Sequence, residues 1–83
     1  MKLEVTPVPL EKLPQIIAFF RGYGVTIDEY TYGGTFTCIS GSGWFYMDDG
    51  TLTVVIEEHK SHFPERMLRG GLRQAVSEIV EQV

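Results

Sequence analysis

The strongest constraint in this sequence is a change of hydrophobic period along the chain. Residues 25–56 alternate between apolar and polar, whereas the runs on either side repeat at helical spacing. Val25 and Ile27 alternate with Thr26 and Asp28. In TFTCIS, Phe36 and Cys38 take one face and Thr35, Thr37 and Ile39 the other. In TLTVVI, Leu52, Val54 and Ile56 share a face. Successive strand side chains point to opposite faces, so this pattern predicts a sheet with one side in the core. Turn signals divide the region: GG at 33–34, GSG at 41–43 and DDG at 48–50 are each expected to form a loop. The WFYM stretch puts Trp44 and Tyr46 on one face and Phe45 and Met47 on the other. One pair belongs in the core. The other is expected on the open sheet face with Thr37, Ile39 and Tyr30 or Tyr32.

The flanking runs read as helices. Leu10, Leu13, Ile17 and Phe20 recur at helical spacing, with Ile16 beside them. Pro14 lacks an N–H and clashes one turn back, so the regular helix should begin near Leu13 or Pro14, after a looser turn. Gly22 and Gly24 supply its stop. The closing run FPERMLRGGLRQAVSEIVEQV should start a second helix at Pro64. At ~100° per residue from Leu72, its residues Leu68, Val76, Ile79 and Val83 fall within about 40° of one line. The stripe therefore keeps its register across Gly70 and Gly71, which predicts one helix rather than two. The glycine pair costs that helix about 2 kcal/mol relative to alanine. Before the first helix, KLEVTPV forms a short strand that Pro7 and Pro9 end. The order β-α-β-β-β-α follows: an α+β two-layer sandwich, one domain over 1–83, with an antiparallel sheet and both helices on one face.

A chain of 83 residues has a small core, worth roughly 3–5 kcal/mol of net stability. A single cysteine, Cys38, leaves no internal disulfide and points to a reduced, cytoplasmic setting. Its core-face position suits an inert small hydrophobe. No apolar run approaches the roughly 18 residues of a membrane span, so no membrane partner is expected. The net charge of −4 is unevenly laid out. Lys60, Arg66, Arg69 and Arg73 against Glu65 give residues 60–73 a charge of +3, leaving −7 elsewhere. Such bipolarity can orient an anionic partner or a second copy.

Three groups of residues are candidates for function. Arg66, Arg69 and Arg73 form a ridge along one flank of the closing helix, with Gly70 and Gly71 beside it; this is a candidate partner- or anion-binding surface. Tyr30, Tyr32, Trp44 and Tyr46 are candidate interface aromatics. Glu57, Glu58, His59 and His62 could ligate a metal or act as acid and base, but His-x-x-His alone is weak, without CxxC or HExxH beside it. DDG is turn chemistry rather than a calcium loop. No catalytic residue, metal site or cofactor is assigned.

The α-β-β-β-α portion is similar in element order to double-stranded RNA-binding domains. That family's Lys-rich start to the last helix is replaced here by FPERMLRGGLRQ, and element order alone implies no function. The expectation is a non-enzymatic interaction or regulatory module that binds itself, as a homodimer, or another protein. A nucleic-acid-binding domain using the arginine ridge and sheet aromatics is the alternative. Three arginines on an acidic chain do not favour it. A small-ligand- or metal-binding protein using the His59/His62 end is the third.

Overall fold

The computed structural model describes residues 1–39, 41–59 and 64–81, with backbone alone at 58 and 59. Strand β1 (Lys2–Val5) leads through a single 3-10 turn (Leu10–Lys12) to helix α1 (Leu13–Gly22). Four strands follow: β2 (Thr26–Tyr30), β3 (Gly33–Cys38), β4 (Gly41–Asp48) and β5 (Thr51–His59). Helix α2 (Glu65–Glu81) closes the chain. The strands form one antiparallel sheet in the order β1-β5-β4-β3-β2. The α+β class is as expected, but the strand count is one higher. Three turns divide residues 26–59 into four strands, one more than the order β-α-β-β-β-α counts between the helices.

Both helices cover the same face. The core joins Leu3, Phe45 and Leu52 of the sheet to Leu13, Ile16 and Ile17 of α1 and Val76 and Ile79 of α2. Helix α1 starts where Pro14 allows, with proline in its first turn. Leu10, counted in the apolar stripe, is 48% exposed, and Val8 is fully buried instead. The reason is local. The Val8 N–H donates to the Gly50 carbonyl (2.8 Å), and the Thr6 hydroxyl donates to the same oxygen (3.2 Å). These bonds draw the segment after β1 across the β4–β5 turn.

Two expected turns lie elsewhere. Gly33 and Gly34 are inside β3, and the β2–β3 turn is Thr31–Tyr32, with Tyr32 at φ 62°. Likewise the GSG run opens β4, and the preceding turn includes Ile39. Close approach explains both displacements. A Cβ on Gly34 would strike the Asp28 carbonyl oxygen and come within 3.1 Å of the Phe45 ring. A Cβ on Gly43 would strike the Val55 carbonyl oxygen and come within 2.9 Å of the Phe36 ring. Gly34 faces Phe45 and Phe36 faces Gly43 across the β3–β4 ladder, so each phenylalanine ring covers its neighbour's glycine. The DDG signal holds: Asp49 and Gly50 both take positive φ between Asp48 and Thr51, as a tight hairpin of this kind requires.

Helix α2 is continuous through Gly70 and Gly71 and begins one residue after Pro64. The Pro64 carbonyl accepts from the Met67 and Leu68 N–H groups. Val83, placed in its stripe, lies outside the described residues. Among the described residues, no helix is long and apolar enough to cross a membrane.

Candidate functional site

Among the described residues, no helix lies over the sheet's second face. Phe45 points into the core, with Met47 packed against it, so Trp44 and Tyr46 are the pair left on the open face. Their rings stack at a centroid distance of 5.5 Å and an interplanar angle of 18°, and each residue is 37% exposed. Thr53, directly across from Tyr46, is buried. The stack sits on β4, the middle strand of the five.

Two rows of paired residues cross this face. One runs Lys2, Val55, Trp44, Thr35, Asp28; the other runs Glu4, Thr53, Tyr46, Gly33, Tyr30. Tyr30 is thus two strands from Tyr46, roughly 10 Å at ordinary strand spacing. It is 66% exposed. Tyr32 is at the β2–β3 turn and is also exposed. The face therefore brings three of the four expected aromatics into register, with Tyr32 at its rim. Its charges are Lys2, ion-paired to Glu4 at 3.4 Å, with Asp28 and Asp48. That balance is acidic beside the aromatic stack.

The free sheet edges are capped by arginine. At β2, Arg21 from the end of α1 donates to the Ile27 carbonyl (2.7 Å) and pairs with Glu29 (3.3 Å). At β1, Arg73 donates to the Glu4 carbonyl (3.2 Å). A guanidinium on an edge carbonyl blocks the template that another strand would use.

The arginine ridge and the glycines do not make one surface. Arg73 faces the β1 edge. Gly71 faces the other way and lines a groove between α2 and α1 with Phe20, Met67, Leu68 and Leu72. Gly70, four residues after Arg66, lies on the ridge's own flank at ~100° per residue, and a Cβ on either glycine would meet nothing within 4 Å. Of the expected site of Arg66, Arg69, Gly70, Gly71 and Arg73, the fold sets Arg73 and Gly71 on opposite flanks of the helix. His62 lies outside the described residues. His59 enters only through its backbone, paired with Gly41 at the end of β5.

Sequence reasoning missed one feature. Between the helix layer and the sheet lies an apolar cleft of about 230 Å³. Phe36, Cys38 and Ile56 line its sheet side, and Phe20, Leu68 and Leu72 its helical side. Phe20, Leu68 and Leu72 also line the interhelical groove, so the cleft and the groove adjoin along these side chains. Its cause is the stance of α2. Val76 and Ile79 in its second half are buried, whereas Leu68 and Leu72 in its first half are half-buried. The helix stands off from the sheet like the open end of a wedge. A sealed void of that volume would cost about 5 kcal/mol at ~24 cal/mol per Å³. That equals the whole stability of a core this small, about 3–5 kcal/mol. No motif signals such a cleft, because Leu68 and Leu72 occupy the same positions in the stripe whether the helix is seated or raised.

No protein-family model matches the sequence, and no curated protein or solved structure matches it.

Proposed function

We propose that the chain is a non-enzymatic protein-interaction module that pairs with a second copy of itself through the open face of its sheet. The observation that carries this reading is the arrangement of the two open-face rows about the Trp44–Tyr46 stack. Each row has its aromatic residue at the centre. One row ends in Lys2 and Asp28, the other in Glu4 and Tyr30. A copy laid face to face about a two-fold axis along β4 brings aromatic to aromatic at the centre. It also sets Lys2 against the partner's Asp28, and the Tyr30 hydroxyl where it can donate to the partner's Glu4. Such self-complementarity is what an isologous interface needs. Buried aromatics at the middle with a polar rim is the anatomy of protein interfaces. The capped edges direct association to this face rather than to strand addition. The cytoplasmic setting read from the lone Cys38 goes with this reading.

Charge reversal tests it. Lys2→Asp and Asp28→Lys should each weaken self-association at least tenfold by light scattering. The double variant, with both pairs reversed, should restore most of it. Circular dichroism confirms that all three fold. A wild-type chain that stays monomeric at millimolar concentration, or a double variant as weak as the singles, contradicts the reading.

Nucleic-acid binding is the weaker alternative. The aromatic face carries three carboxylates against one lysine, and Arg73 is engaged at the β1 edge. A polyanion is repelled where the stacking platform is.

A further inference from the structure

We infer that the cleft between α2 and the sheet is a binding site for a neutral, apolar small molecule. It lies on the opposite side of the sheet from the proposed dimer face, so either conclusion can fail without the other. Three observations set the chemistry of the occupant.

Size is the first. The 230 Å³ of the cleft exceeds the ~150 Å³ of an apolar cavity that stays dry and takes up benzene. At the ~30 Å³ that a water occupies in the liquid, it holds roughly eight non-hydrogen atoms. That is the scale of a substituted benzene or a short alkyl chain rather than a sterol or a nucleotide.

Polarity is the second. The described lining residues are aliphatic and aromatic apart from Gly41 and the Cys38 thiol. None carries a charge or a strong hydrogen-bond donor. Arg73 is turned to the β1 edge, so among the described lining residues a ligand carboxylate would find no cation. A neutral molecule loses nothing by entering, whereas an anion would leave its hydration behind unpaired.

Access is the third. The adjoining groove is bordered by Gly71 and by the 57% exposed side chain of Met67. Methionine adapts its shape to what it meets, as on other surfaces that accept varied apolar partners. The glycine that weakens α2 thus stands on the groove that adjoins the cleft.

The test is an NMR titration of the methyl-labelled full chain with p-xylene, an eight-atom neutral probe, and in parallel with octanoate. p-Xylene should produce saturable shifts at the methyls of Leu68, Leu72 and Ile56, with a sub-millimolar apparent Kd, and leave Val55 on the open face unmoved. Octanoate should bind at least tenfold more weakly. Cys38→Leu, which adds bulk to the cleft lining, should weaken p-xylene at least tenfold and raise the melting temperature. If that variant fails to fold, Ile56→Phe fills the same space. The inference is overturned if wild-type shifts do not saturate, or appear equally at Val55. It is also overturned if the filled variant binds as the wild type does, or if the same methyls shift on dilution without probe. The last result would mean that a second copy occupies the cleft.

Discussion

At Gly34 and Gly43 the absent side chain is a packing requirement, because the rings of Phe45 and Phe36 occupy the space a Cβ would need. A methyl group at Gly43 also meets the Val55 carbonyl, which cannot move without disturbing the ladder. We predict that Gly43→Ala destabilises the chain by about 2–3 kcal/mol in urea denaturation, the range of core overpacking. Gly22→Ala, at the end of α1 with open space around it, serves as the control that should not destabilise. These residues also show where sequence reasoning goes astray. A glycine marks either a turn or a close approach, and the two look alike in a string of letters. GG and GSG are approaches here, whereas DDG is a turn. The turn at Thr31–Tyr32 has no glycine to announce it, since Tyr32 itself takes the left-handed conformation. The same ambiguity hid which aromatic pair is buried. Only the pairing of Phe45 with Gly34 and Phe36 with Gly43 places Trp44 and Tyr46 outside.

Among the elements, α2 combines a strong apolar stripe with a weak middle. Its continuity across Gly70 and Gly71 was legible, because the stripe fixes phase and phase survives two poor helix formers. Its raised N-terminal half was not, because the distance from helix to sheet depends on what fills the space between. Both glycines are exposed within the helix, and an alanine at either meets nothing within 4 Å. Gly70→Ala and Gly71→Ala should each stabilise the chain by about 0.8–1 kcal/mol. For a domain of this size that raises the melting temperature by roughly 4–8 °C, readable by calorimetry. A lowered melting temperature in either variant would show that the helix is not regular there. The arginines of this element and of α1 were legible as residues, yet their role was not. Arg73 reads as part of an anion-binding ridge from sequence, and in the fold it ends on an edge-strand carbonyl, as Arg21 does at the other edge.

At the scale of the whole molecule, the sheet separates two different surfaces. One face holds the helices, the core and the apolar cleft. The other holds a stacked aromatic pair on the central strand, with rows whose ends complement one another. The two-layer α+β plan was readable from hydrophobic period alone, since period two and period 3.6 permit few other packings. The partition of function between the faces was not, because it rests on cross-strand register that no local pattern encodes. Trp44 is the chain's one tryptophan, and it stands at the centre of the proposed interface, so its fluorescence reports on the central claim directly. Acrylamide quenching of Trp44 measured from micromolar to millimolar protein should fall several-fold as concentration rises, with a blue shift in emission, and Lys2→Asp should move that transition to at least tenfold higher concentration. Quenching and emission that stay constant across the whole range would contradict self-association through this face.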